Sequence, residues 1–543
     1  KASQFPLLTQ TLLSSRLMME GPIKKGKHSF MLAVRRSYPD IFLDLFDSDD
    51  GGNKVRFLDF NGKINFILDN KNRLYFSTYR GVDVFRFFDA YENKWGNETA
   101  TLRWNHLFSD RLFANFSAIY SNYSYSIENF IQGVQTLNWE SGVRDINLKA
   151  DFTLYLNSFN RLNFGFQNVF HRFVPGKEKN NRIQPVPPRN TLEQAFYFGH
   201  YLKKKRWQAD VGIRISAAHN FGKSLIYTFD ENFQLMDSTR TSGGIYHSKW
   251  NILPRLSLSY SLDNTLLLNF GYSHTVQYLQ ELRNSISGFN AFFTFFPSGV
   301  NIPEQRSRQV SLGINKAFRR SNTSFGAEIY YRWLENQVDF EPHSQIIQNP
   351  LVERELRIGK GYAYGIEFFL KKETATWTGS LAYTYARTFR KIKEINNGEK
   401  YPTYYDQPHA VNLLFLLKKH PRWDFSINWQ LRSGNTLTLP IGSYQYDNTV
   451  VPIYGNRNDQ RLPAFHRLDL SATLFPKGKA KSYQHSYWTF SLYNTYFRKN
   501  TLSIDILPIK EKGTDNIPNP TNVGAFKTYV LRIIPSVGYH FKL

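Results

Sequence analysis

The sequence predicts an all-β protein, a transmembrane antiparallel β-barrel of about 22 strands with short periplasmic turns and long extracellular loops. Three observations predict it. Apolar and polar residues alternate through segment after segment. The segments are joined alternately by short turns and long loops. And 543 residues run without a linker, whereas a single soluble core seldom grows beyond about 300 residues. One domain, 1–543, is therefore expected.

The alternation is clearest between Gly365 and Leu474. In Trp377–Ala386, the residues Trp377, Gly379, Leu381, Tyr383 and Tyr385 share one face, and Thr378, Ser380, Ala382, Thr384 and Ala386 the other. In His466–Leu474, Leu468, Leu470, Ala472 and Leu474 oppose Arg467, Asp469, Ser471 and Thr473. Side chains on a strand alternate with period two, so each such segment has an oily and a wet face. A soluble sandwich buries the oily face; a membrane barrel turns it to lipid and keeps the polar face in its lumen. The same phase places Leu58, Phe60, Ile64 and Phe66 outward and Asp59, Asn61, Lys63 and Asn65 inward. It also places Phe325, Ala327, Ile329, Tyr331 and Trp333 outward and Ser324, Glu328 and Arg332 inward. The final segment, through Leu531, Ile533, Val537, Tyr539, Phe541 and Leu543, reads as a closing strand.

Short turns are predicted at Lys24–Lys27, Asp69–Arg73, Ser109–Arg111, Asn157–Arg161, Lys203–Arg206, Asp263–Asn264, Arg319–Asn322, Lys371–Thr376, Lys418–Arg422 and Pro476–Lys481, several carrying the Asn, Asp, Gly and Ser that tight turns use. Two strands per turn and one at each end give about 22. Long loops are expected near 39–53, 173–190, 217–250, 279–305, 337–357, 389–405, 434–462 and 498–526.

Composition agrees. The mean hydropathy is −0.46, and no run of about 18 apolar residues exists, so no transmembrane helix is expected; half of every barrel strand is polar. Aromatics make up 16%, with 33 Tyr and 46 Phe, which suits girdles at two membrane interfaces. Cys is absent, so there is neither a disulfide framework nor a thiolate metal site. The chain begins at Lys1 without an apolar h-region, as a mature or truncated chain would.

The net charge of +24 first suggests nucleic acid, but its distribution argues against that partner. The short-turn windows hold 21 Lys and Arg against four acids, Asp69, Asp110, Asp263 and Glu373, so they carry +17 of the total. A basic rim at one end of a barrel would meet anionic lipid head groups. The acidic stretch Asp44–Asp50 at the opposite end is a candidate for Ca²⁺ beside lipopolysaccharide, with a solvated loop as the plainer alternative.

No HExxH, CxxC or GxSxG occurs, and the 13 His have no metal-ligand spacing, so no catalytic residues, metal site or cofactor are assigned. Phe221-Gly222-Lys223-Ser224 echoes a P-loop tail, but Ala217 stands where the first Gly belongs. Glu328 and Asp469 are expected to pair with Arg332 and Arg467 rather than act as an acid couple. The loop Phe289–Pro297 is rich in Phe and marks an interaction patch, or else folds back onto neighbouring loops.

Several stretches resemble the barrel of TonB-dependent outer-membrane receptors, in particular the Bacteroidota type with a carboxypeptidase-regulatory-like segment before the plug. They are Ser14–Leu17 with Glu20–Ile23, Trp95–Asn97 with Arg103–Phe108, Tyr330–Arg332, Gly365–Glu367, Tyr383–Thr384, Tyr405–Asp406 with His409, Thr438–Pro440, Arg457–Asn458 and His466–Ser471. The resemblance runs nearly end to end. It implies active uptake of a scarce solute across the outer membrane of a Gram-negative bacterium. TonB would act through an N-terminal plug and TonB box that this sequence does not contain. Other partners expected are outer-membrane lipids and lipopolysaccharide, with a surface lipoprotein or other outer-membrane subunits. Ligand or partner contacts are expected at Phe292, Phe293, Phe295, Arg332, Tyr404, Tyr454 and Arg457. A plugless barrel serving as a structural subunit of an outer-membrane assembly is the alternative, and a simple porin a third reading.

Overall fold

The computed structural model describes residues 5–11, 14–38, 54–87, 91–131, 134–178, 186–283, 293–342, 344, 346, 349–446, 449–476, 486–510, 518–529 and 533–542. One antiparallel sheet of 23 strands dominates it. Tyr401–Pro402 is a two-residue strip paired to Phe389 and Arg390; the other 22 form the wall of a closed barrel. The first strand, Phe5–Thr11, pairs with Ser14–Lys24 on one side and with the last strand, Ile534–Lys542, on the other. Closure removes the sheet edges that an open sheet would leave unpaired in lipid.

The inside–outside phase follows the sequence. Leu58 and Phe60 are exposed on the outer face, while Asp59 is buried in the lumen wall, accepting from Arg35 Nε (2.6 Å) and Tyr79 Oη (2.9 Å). Arg467 pairs with Asp469 at 2.9 Å, as expected. Arg332 instead donates to Gln309 Oε1 from Nε (2.9 Å), because Gln309, and not Glu328, stands opposite it in the ladder.

Side chains close the short turns. The Asp69 carboxylate accepts from the Lys71 and Asn72 amides (2.7 and 2.8 Å), and Asn157 accepts from Phe159 and Asn160 (2.9 and 3.0 Å). Asp263 accepts from the Thr265 and Leu266 amides (2.6 and 2.9 Å). These are Asx turns, the reason Asp and Asn mark such positions. The predicted short turns from Lys24–Lys27 to Lys418–Arg422 lie at one end, with Phe5 and Lys542. Of the predicted Pro476–Lys481 turn, residues beyond Pro476 lie outside the described residues, as does Asp44–Asp50.

The lipid band can be measured along one strand, Ile245–Ser261. Its outward-facing Tyr260 packs at a tilt on Trp207 (ring centroids 4.5 Å) near the turn end, and outward-facing Trp250, 61% exposed, lies ten residues higher. Ten residues at about 3.4 Å, tilted by about 40°, rise roughly 26 Å, close to the apolar height of an outer membrane. Strands on one side far exceed this. Leu112–Ile131 has 20 residues, Val134–Asn157 has 24 and Asn160–Glu178 has 19. On the other side, His409–Leu417, Phe465–Leu474, Ser486–Tyr493 and Ile534–Lys542 have 8 to 10 and just cross.

The loops are more regular than the sequence suggests. Where 217–250 reads as irregular, the wall continues to Phe221, resumes at Ile245, and encloses a hairpin of Leu225–Phe229 with Leu235–Arg240. The ranges 279–305, 434–462 and 498–526 likewise contain paired strands. Above the membrane neither sheet face meets lipid, so the period-two contrast that reveals a strand fades.

Candidate functional site at the extracellular mouth

The range 279–305 contains the element that organises the mouth. Leu279–Arg283 pairs with Phe293–Pro297 as a two-stranded strap, with Glu281 opposite Phe295 and Leu282 opposite Thr294. Period two divides it into two faces. Gln280, Leu282, Thr294 and Phe296 are buried, at 0 to 4% exposure, while Glu281, Arg283 and Phe295 point away from that core.

The buried face fastens the strap to the tall side of the barrel. Leu282 and Phe296 join Trp139, Val186, Ile302, Val338, Phe340, Val352 and Leu356 in one apolar cluster. The Thr294 hydroxyl donates to the Pro175 carbonyl and lies 3.4 Å from Ser141 Oγ. At the base, buried Tyr278 shares a hydrogen bond with Ser216 Oγ (3.0 Å) and accepts from Asn251 Nδ2 (2.9 Å). Gln280 donates to the Pro303 carbonyl (2.9 Å) and accepts from Gln305 (2.6 Å). Arg189 pairs with Glu353 at 2.6 Å, both almost fully buried, and lies over the Phe296 ring. An ion pair this deep holds only because both partners are present; removing either strands a charge in a medium that cannot solvate it.

The open face reaches across the mouth. Phe295 meets Tyr123 edge to face (5.6 Å, 87°) on the tall wall. Arg283, bonded to Glu281 at 3.1 Å, lies 5.5 Å from the ring centre of Tyr404 in the loop after strand Trp377–Lys391. Tyr404 packs edge to face on Tyr405 (5.0 Å), and burial pushes its phenol up. The strap thus connects opposite parts of the rim. Its face presents aromatic rings beside one guanidinium and one carboxylate.

Two buried carboxylates hold the loops around Tyr404. Asp339 receives Tyr401 Oη (2.9 Å) and lies 3.4 Å from Arg390 and 3.6 Å from Arg457. Burial, reinforced by that carboxylate, pushes the Tyr401 phenol far above its ordinary range and keeps it a donor. Asp406, with its side chain fully buried, receives Arg461 Nη2 (2.7 Å), Arg387 Nε (3.2 Å) and the Thr388 amide (2.7 Å). Arg457 also donates to the Phe340 carbonyl (2.8 Å) and Asn458 to the Pro402 carbonyl (2.9 Å). Loops 392–408 and 433–464 are thereby joined to each other and to the wall.

Of the residues expected at a ligand, Phe295 and Tyr404 meet at this mouth. Phe293 belongs to the strap, and Phe292 lies outside the described residues. Arg457, 3% exposed, binds Asp339 and serves structure. Arg332 sits in the wall against Gln309, and Tyr454 stands opposite Pro440 in a separate hairpin. Within the Phe-rich stretch Phe296 is core, not patch, and residues 289–292 lie outside the described residues. Sequence reasoning missed Tyr123, Glu281, Arg283 and Asp339, and met Asp406 only as part of the family resemblance. The alternation Gln280, Leu282 against Glu281, Arg283 was the one available signal for the strap. Among the described residues, no group of three or more His, Cys, Asp or Glu side chains is placed to hold a metal ion.

A closed 22-stranded barrel with long-range loop packing over one mouth defines the class of large outer-membrane barrels that enclose a lumen wide enough to need filling. Residues 37–496 match the family model for the TonB dependent receptor-like β-barrel, and the chain belongs to that family. Solved structures with the same fold include the copper transporter OprC (12% identity, all of this chain and 81% of that one, TM-score 0.66). They also include the ferric yersiniabactin uptake receptor FyuA from Yersinia pestis (11%, all of this chain and 80% of that one, 0.66). The ferripyoverdine receptor of Pseudomonas aeruginosa is a third (11%, all of this chain and 72% of that one, 0.66). No curated protein matches the chain in sequence. The protein is an outer-membrane barrel of the TonB-dependent receptor family, a family of transporters and receptors.

Proposed function

We propose that this barrel imports a scarce solute, captured at the extracellular mouth between the strap and Tyr404 and passed inward by TonB-driven release. The observation that carries this reading is the strap itself. It is riveted along one face and presents Phe295, Arg283 and Glu281 along the other, beside Tyr123 and Tyr404. Such a face suits a ligand with a ring or apolar surface and at least one charge, since aromatic faces supply area and the Arg–Glu pair supplies orientation. Among the similar proteins, OprC is a copper transporter, FyuA a ferric yersiniabactin uptake receptor and the Pseudomonas protein a ferripyoverdine receptor. For this chain the mouth supports the coarser class, a small charged solute.

The test is depletion of solutes from the medium of cells that make the protein, against cells that lack it, with and without a proton-gradient uncoupler. Solutes depleted by the protein only when the gradient stands are its cargo. Phe295→Ala and Arg283→Ala should slow that depletion at least several-fold with the folded barrel still present. Uncoupler-insensitive depletion of many small solutes would instead identify a porin.

A further inference from the structure

The periplasmic rim is not uniformly basic. Lys203, Lys204, Lys205 and Arg206 follow one another at the turn between strands Arg189–Lys204 and Trp207–Phe221, and all four are exposed. Among the described residues none of them forms an ion pair with an acid. The acid of the next turn, Asp263, is taken up by Thr265 and Lys316. Lys204 has the outward parity of Phe196 and Phe198, which are exposed on the lipid face. Beside it Trp207, 54% exposed, packs on Tyr260 at the membrane boundary. The adjoining turns contribute exposed Phe159 on one side and Leu262 on the other.

The backbone adds a second, independent observation. Lys205 has φ +51°. This left-handed region favours Gly and Asn, and Asn occupies six of the nine non-Gly positions with positive φ among the described residues. A lysine at the tip keeps a cation where turn geometry alone would select a smaller residue.

We propose that this hairpin is a binding site for an anionic phospholipid of the inner leaflet. Lys204, Lys205 and Arg206 would hold the headgroup phosphate, Trp207 and Tyr260 would sit at the glycerol level, and Phe159 and Leu262 would flank the chains. Charge complementarity selects the occupant. Three unpaired cations at the lipid boundary match a phosphate with a net negative headgroup, and aromatic residues settle where apolar and polar zones meet.

The experiment is native mass spectrometry of the full chain, released from micelles containing equal phosphatidylglycerol and phosphatidylethanolamine. The wild type should retain phosphatidylglycerol preferentially, and less of it as salt is raised. K204Q/K205Q/R206Q should lower that retention about a hundredfold, as loss of three surface cations predicts. K24Q/K25Q/K27Q removes the same charge from another turn and should leave retention nearly unchanged. Equal loss in both variants would mean diffuse attraction to the rim and overturn the site. A wild type that retains both lipids equally would overturn it without any variant.

Discussion

The two sides of the barrel reach the same mouth by different means. On the tall side, strands Leu112–Ile131, Val134–Asn157 and Asn160–Glu178 rise roughly 20 to 35 Å beyond the lipid band as continuous ladder. On the short side, the strands from His409 to Lys542 end at the membrane and loops carry the wall upward. The tall side is held by backbone hydrogen bonds, which no single side chain controls. The short side depends on Asp339 and Asp406, each a buried carboxylate with two arginines. A ladder is robust to substitution but rigid. Loops fixed by a few charges can be released together.

The largest effect should come from breaking the short side. Asp406→Ala leaves Arg387 and Arg461 without their carboxylate and the Thr388 amide without its acceptor. A local loss of about 3–5 kcal/mol is expected, seen as faster hydrogen exchange across 392–408 and 433–464. Exchange in 112–178 should not change; if it rises equally, the two sides are one cooperative unit and the contrast fails.

Phe296→Ala acts on the join between the sides. It empties a ring site that is 1% exposed and should cost roughly 3–5 kcal/mol of packing, less where neighbours collapse into the space. The strap should then exchange faster and single-channel conductance should rise, with strand protection kept below. Unchanged strap exchange would show that Tyr278 and Gln280 hold it unaided.

The smallest effect belongs to the turns. Hydrogen bonds from the Thr265 hydroxyl, then the Thr265 amide, hold the Asp263 carboxyl down at about 2. A depressed carboxyl stabilises the fold above its ordinary value of about 4, and that contribution is lost as pH falls toward 2. Exchange at the Thr265 and Leu266 amides should therefore accelerate, relative to neighbouring amides, between pH 4 and 2. The Asp263→Asn turn should show less of this dependence.

How much the sequence disclosed follows the same division. Wherever one strand face meets lipid and the other water, alternation is sharp, and Leu58–Phe66 and His466–Leu474 could be phased residue by residue. The strand number followed from the turns because Asp69, Asn157 and Asp263 close them with their own side chains. The mouth was nearly illegible. Asp339 and Arg457 are 118 positions apart, and Tyr123 and Phe295 are 172 apart, so no local pattern joins them. Phe296 and Phe295 look alike in sequence, and only the strap's two faces assign one to the core and the other to the mouth.

The proposal that solute captured against the strap is passed inward requires the strap to yield, and locking it to the tall wall tests this directly. Ser141 Oγ and Thr294 Oγ1 lie 3.4 Å apart, close enough for Ser141→Cys with Thr294→Cys to form a disulfide, and the chain has no cysteine of its own. Oxidised, this variant should stop the gradient-dependent depletion of solute, and a reductant should restore it. Full uptake by the cross-linked protein would contradict the account and mean that solute enters without moving the strap.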